Sequence, residues 1–98
     1  MNISSKHKHL LKGLAHSIKP SVIIGKDGLS SGTINSISNI LEYKELIKIK
    51  FNDFKEQKST LAKQIENECE AIIIGKVGNI FIFFKQNDDI EKRNYLFK

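Results

Sequence analysis

Residues Val22-Ile23-Ile24-Gly25-Lys26-Asp27-Gly28-Leu29-Ser30-Ser31 place a glycine and lysine loop between a short apolar run and the first turn of a candidate helix. Those residue types in that order can grip a phosphate. Two glycines three apart allow positive φ angles and remove the Cβ atoms that would hold a polyanion off. A helix beginning near Ser30 aims unpaired N–H groups at the same spot, and Lys26 adds a mobile cation. A bare Gly-x-x-Gly also makes an ordinary turn, so the reading rests on strand, loop and helix occurring together.

The chain carries its own comparison. Ile73-Ile74-Gly75-Lys76-Val77-Gly78 nearly repeats the loop, but Asn79-Ile80-Phe81-Ile82-Phe83-Phe84 follows it. That aromatic and β-branched run predicts another strand, so this copy reads as a hairpin whose glycines serve the turn. Catalytic readings fail on detail. Gly-Lys after a strand has a superficial likeness to a Walker A loop, yet Asp27 stands where a Ser or Thr would hold magnesium, and the long glycine spacing before the lysine is missing. No Ser-His-Asp or Cys-His arrangement is legible. His7 and His9 fall on different faces of the first predicted helix, with no carboxylate or thiolate nearby to complete a metal set. Neither an enzyme, a cofactor nor a small-molecule substrate is expected.

The charge is unevenly placed. Of the net +5, all lies in residues 1–50, which carry eight lysines against Asp27, Glu42 and Glu45, while residues 51–98 carry eight basic and eight acidic groups. A one-sided basic field and a pI near 9.4 fit a polyanionic partner, with nucleic acid preferred over membrane because no basic amphipathic helix carries bulky aromatics. A solvated lysine-rich surface would give the same composition. At 98 residues with 40% hydrophobic side chains, the chain is expected to form one domain burying roughly two thirds of its unfolded surface. No apolar run approaches the roughly 20 residues of a membrane span, and no leader core follows Met1, so a cytoplasmic setting is expected. Cys69 is the single cysteine and reads as a small buried side chain.

Around these residues, periodicity predicts the elements that must position them. A first helix from about Ser5 to His16, capped by Ser4 or Ser5, sets Leu10, Leu11, Leu14 and Ile18 on its apolar side together with Ile3 and His7. After the first strand, Leu29 and Ile34 can staple a Ser30 cap, and Ile34, Ile37, Ile40 and Leu41 define a second helix with a neutral outer face of Ser31, Asn35, Ser38 and Asn39. The segment Glu45 to Phe51 alternates, with Ile47, Ile49 and Phe51 facing one way and Leu46, Lys48 and Lys50 the other. A third helix from about Glu56 to Glu68 uses Leu61, Ala62, Ile65 and Cys69, and ends on Glu66, Glu68 and Glu70, an unfavourable match to the helix dipole. The strand Ala71 to Ile74 and its hairpin partner Ile80 to Phe84 complete the core; Phe81, Phe83 and Phe84 are expected to pack there and not to stack bases. Past Lys85 a charged tail, residues 86–98, is expected to be partly ordered, anchored by Tyr95, Leu96 and Phe97. The result is an α/β (α+β) domain over residues 1–85, in the order α-β-α-β-α-β-β, with a mixed four-stranded sheet and three helices.

That order, together with Leu11-Lys12-Gly13-Leu14-Ala15-His16 before Lys19-Pro20, then Ile24-Gly25-Lys26-Asp27-Gly28-Leu29, then Glu45-Leu46-Ile47-Lys48-Ile49-Lys50, resembles the CRM domain, in its stand-alone bacterial, YhbY-like form. The resemblance runs to about Lys85. It implies a fold similar to the C-terminal domain of translation initiation factor three, RNA binding through the Gly-x-x-Gly loop and basic surface, and association with large-subunit ribosomal precursors. By position, the family's loop falls on Gly25, Lys26, Asp27 and Gly28, and its basic first helix on Lys6, Lys8 and Lys12, with Lys19 following. The second-strand lysines are Lys48 and Lys50; Lys85 stands where the family often has arginine, keeping charge without the bidentate fork. Asp27 is expected to cap the second helix. The protein implied is a cytoplasmic, monomeric rRNA binder in ribosome assembly; the alternative is a module that docks a ribosomal protein or assembly factor without touching RNA.

Overall fold

The computed structural model describes residues 3–95. Ser4 starts α1 (Ser5–Leu14) by accepting the His7 N–H at 3.2 Å, and a 3-10 turn over Ala15–Ser17 releases the chain before Pro20. Strand β1 (Val22–Ile24) leads through the glycine loop to α2 (Ser31–Lys44), β2 (Leu46–Phe51) and α3 (Lys58–Glu68). The hairpin of β3 (Ile72–Val77) and β4 (Ile80–Phe84) follows, so the predicted order and the mixed four-stranded sheet both hold.

The sheet order is β1-β2-β4-β3. β1 pairs parallel to β2, and β4 is antiparallel to both neighbours, so β1, β2 and β3 all run one way and β4 slots between the last two. Ile24, Ile47, Ile49, Phe51, Phe81 and Phe83 face α2 and α3 in one core. Leu46, Ile74, Ile82 and Phe84 face α1 in another, against Leu11 and Ala15. The three phenylalanines are therefore core, as is Cys69, whose thiol approaches the Ser38 hydroxyl at 3.3 Å.

Several expectations are corrected. Leu10 and Leu14 are 54% and 45% exposed, because α1 rests on the sheet through the narrower stripe of Ile3, Leu11, Ala15 and Ile18. Ser38 turns inward onto Cys69 instead of joining the neutral outer face of α2. α3 begins at Lys58, after a turn, and not at Glu56. In the second glycine copy only Gly78-Asn79 makes the turn; Gly75 to Val77 belong to β3, whose ladder shifts register between Ile73 and Gly75.

The acidic end of α3 now has a cause. Glu66 accepts the Ile73 N–H at 2.7 Å, satisfying a donor on the outer edge of β3, while the Ala71 N–H closes the helix on the Glu66 carbonyl at 3.0 Å. Its carboxylate serves the sheet edge at the expense of the helix dipole.

Glu45 is the one charged side chain in the buried class among the described residues. It turns the chain from α2 into β2 with φ 55°, and its carboxylate accepts the backbone N–H groups of Asn87 (2.6 Å) and Asn94. Asn87 also donates to the Glu42 carbonyl and Asn94 to the Tyr43 carbonyl, and the Tyr95 ring meets Phe84 edge-on at 6.0 Å. The segment after β4 is thus docked through Glu45 and Tyr95; the expected anchors Leu96 and Phe97 lie outside the described residues.

Glu45→Ala strands two N–H groups and should cost about 2–4 kcal/mol in urea unfolding, with hydrogen exchange accelerating at Asn87 and Asn94. Burial, aided by the nearby Glu45 charge, raises the Tyr95 pKa above 10.0. The neutral phenol is therefore favoured in the folded state. Its stabilisation is complete below pH 10.0 and is lost as pH rises through the higher folded value, so alkaline titration of phenolate absorbance should track release of this segment.

Candidate nucleic-acid interface

The glycine loop is a closed turn. Gly28 N–H donates to the Gly25 carbonyl at 3.0 Å, and Gly28 takes φ 68°, whereas Gly25 stays outside the left-handed region. Only one of the two glycines is thus required by backbone conformation. The link after β2 holds the loop from below: Asn52 and Asp53 donate N–H groups to the Ile24 carbonyl at 3.0 and 3.3 Å. The Phe54 ring lies so close that a Cβ on Gly28 would sit 3.2 Å from it. Phe54 escapes sequence reasoning, since nothing local marks an isolated aromatic in a polar link as the loop's support.

Ser30, not Asp27, caps α2. Its hydroxyl accepts the Thr33 N–H at 3.1 Å, because the residue just before the helix is the one whose side chain reaches the third helical amide. Asp27 sits exposed in the turn, and its expected capping role is corrected. The N–H groups of Ser31 and Gly32 keep no intrahelical acceptor and face the loop end of the helix.

Register fixes where the lysines fall. Lys50 pairs with Ile23 on one side and Ile80 on the other, and Ile80 pairs with Val77, so Ile23, Lys50, Ile80 and Val77 form one row across all four strands. This row lies on the α1 side, at the loop end of the sheet, beyond the reach of α1: Ile23 is 58% and Val77 57% exposed. The next row holds Lys48, Ile82 and Gly75. The Lys12 stem lies across Gly75, where a Cβ would come within 3.2 Å of it. Lys26, Lys50, Lys48 and Lys12 thus surround one end and one face of the sheet, with Lys6 and Lys8 further back on α1.

Two sequence candidates stand apart. Lys85 follows β4 at the opposite sheet end, where its N–H binds the Glu45 carbonyl, about 16 Å along the strand from Ile80. Lys19 precedes β1, at the other end of that strand from Gly25. The second glycine copy shares the loop end, two to three strand spacings or about 10–14 Å away, but its lysine is engaged, with Lys76 Nζ 5.7 Å from the Phe81 ring centroid. Lys58 Nζ anchors the turn to the Asn79 side chain at 2.8 Å. Among the described residues no three His, Cys, Asp or Glu side chains gather as metal ligands, and no helix is long and apolar enough to cross a membrane.

Known proteins share the sequence pattern and the fold. The CRS1 / YhbY (CRM) domain pattern matches residues 3–85. A Haemophilus influenzae protein named RNA-binding protein is 34% identical over 88 residues, covering 89% of each chain. The Bacillus subtilis protein named Probable RNA-binding protein YqeI is 26% identical over 88 residues, covering 89% of this chain and 92% of its own. The solution structure of a Staphylococcus aureus protein described as a candidate RNA binder superposes with a TM-score of 0.77 at 27% identity, covering 95% of this chain and 98% of that one.

The two loop glycines should separate in stability measurements. Gly28→Ala meets the Phe54 ring in a left-handed conformation and should lose about 1–2 kcal/mol. Gly25→Ala meets nothing within 4 Å, and its melting temperature should stay at the wild-type value.

Proposed function

This chain belongs to the CRS1 / YhbY (CRM) domain family, and on that premise we propose that it binds RNA, specifically rRNA in large-subunit precursors, and assists ribosome assembly without chemistry of its own. The observation that carries the reading is the convergence of the Gly25–Gly28 turn, the open N-terminus of α2 and four lysines on one end of the sheet. In this reading, backbone N–H groups around Gly25, Lys26, Asp27 and Gly28 hold one or two phosphates, and Lys26, Lys50, Lys48 and Lys12 extend the track, with Lys8 and Lys6 along α1. Lys85, beyond β4, and Lys19, before β1, both lie off that track. A monomer acting in the cytoplasm is the simplest form of the proposal, and the names of the relatives support RNA as the partner.

Contact by Lys26, two or three α1 lysines and Lys48 or Lys50 neutralises about four or five phosphates, so log affinity should fall against log salt with a slope of roughly −3 to −3.5. Lys12→Ala should flatten that slope by somewhat less than one unit. Lys26→Glu should weaken RNA binding more than Lys76→Glu at equal stability; equal losses would remove the distinction between gripping loop and hairpin. Gly25→Ala serves as the backbone probe, since the added Cβ stands in the way of a phosphate while meeting nothing of the fold within 4 Å. In lysate gradients the protein should peak with large-subunit precursors, and a profile confined to mature polysomes would remove the assembly role.

A further inference from the structure

Between α1 and the sheet lies a groove of about 420 Å³, inside the range of about 300–1,000 Å³ typical of small-ligand sites. Its helix side is a stripe at helical spacing: His9, Lys12, Gly13 and His16. Its sheet side is Lys48 with Val77, Ile80 and Ile82. The lining combines two lysines and two imidazoles, no acidic side chain, and an aliphatic floor. Gly75 leaves the Lys12 stem lying flat on β3, and a Cβ on Gly13 would meet nothing within 4 Å, so the helix wall stays open.

We propose that this groove holds one unpaired RNA nucleotide, its base against Val77 and Ile80 and its flanking phosphates on Lys12 and Lys48. The charge selects an anion, and the floor selects which part of one. A duplex turns phosphates and riboses outward and keeps its bases stacked, which would leave the aliphatic floor uncovered. An extruded base covers it, burying apolar surface of a side chain that is now 57% exposed. The His9 and His16 imidazoles offer a donor and an acceptor each to the base edge or ribose. The groove adjoins the row of Ile23, Lys50, Ile80 and Val77, so a single strand can continue from it toward the Gly25–Gly28 turn. This inference rests on the RNA-binding reading and adds to it a preference for a single-stranded element.

The test compares, at fixed salt, the full chain's affinity for oligouridylate, for a strand of the same length carrying abasic riboses, and for a blunt RNA duplex of equal phosphate count. Gly13→Leu fills the groove and, by removing glycine from a helix, should not lower stability. Wild type should prefer oligouridylate to both controls by about five- to tenfold, and Gly13→Leu should erase that preference while leaving duplex affinity unchanged. Equal affinity for all three, untouched by Gly13→Leu but lowered by Lys26→Glu, would overturn the groove and leave the RNA-binding reading standing. No measurable affinity for any of the three would overturn that reading and this one with it. An oligoglutamate peptide that binds wild type, loses binding in Gly13→Leu and leaves oligouridylate binding untouched would make the groove a protein-docking site and overturn the nucleotide.

Discussion

One helix cannot cover one face of four strands. A helix is about 10 Å across, while four strands at about 4.8 Å spacing span about 15–19 Å. On one face this sheet has two helices, and Ile24, Ile37, Leu41, Phe51, Ile65 and Phe83 are sealed there. On the other, among the described residues, α1 with the 3-10 turn after it and Tyr95 give the cover, and it runs out. Leu46, Ile82 and Phe84 are buried under Leu11 and Ala15, whereas Ile23 and Val77 stay open. The molecule's binding candidates follow from that shortfall, because the uncovered part of the sheet is also where β1 delivers the glycine turn and β2 delivers Lys48 and Lys50.

The connections determine which end of the sheet is left open. Both crossovers, through α2 and α3, move the same way across the sheet and place their helices on the same face, leaving the other face to the N-terminal helix. Parallel β1 and β2 must present their C-terminal ends together, so the loop after β1 and the link after β2 become neighbours. Phe54 can then brace Gly28, and the Ile24 carbonyl can take two N–H donors from that link. At the opposite end the same geometry brings Glu45 to the segment after β4, and a buried carboxylate holds what the family pattern, ending at residue 85, does not include. The two ends thus differ: one is closed by hydrogen bonds to Glu45, the other leaves Ile23 and Val77 exposed.

Two similar sequences in one chain acquire different roles from context. Gly25-Lys26-Asp27-Gly28 ends in a helix with free amides and an exposed lysine, whereas Gly75-Lys76-Val77-Gly78 lies mostly within a strand, with its lysine over Phe81 and its turn tied to Lys58. The glycines serve different needs as well. Gly28 and Gly78 take positive φ, Gly75 gives room to the Lys12 stem, and Gly25 has neither constraint.

The element order, the two helical caps at Ser4 and Ser30, the hairpin and most of the core were legible in the sequence, because caps, turns and period-2 or period-3.6 burial are local properties. The loop lysines and the alternation that turns Lys48 and Lys50 away from α2 and α3 were legible for the same reason. What lay beyond it depends on pairs distant in the chain. Leu10 and Leu14 are as apolar as Leu11, and only the way α1 rests on the sheet, through Ile3, Leu11, Ala15 and Ile18, leaves them outside. Glu66 reads as a charge set against the helix dipole, and Glu45 as no more than the start of a strand, until β3 and the Asn87 to Asn94 segment bring N–H groups to them. The row from Ile23 to Val77 exists only once β4 has inserted between β2 and β3, and a register that joins residues 54 positions apart is set by packing on both faces of the sheet, which no window of sequence contains.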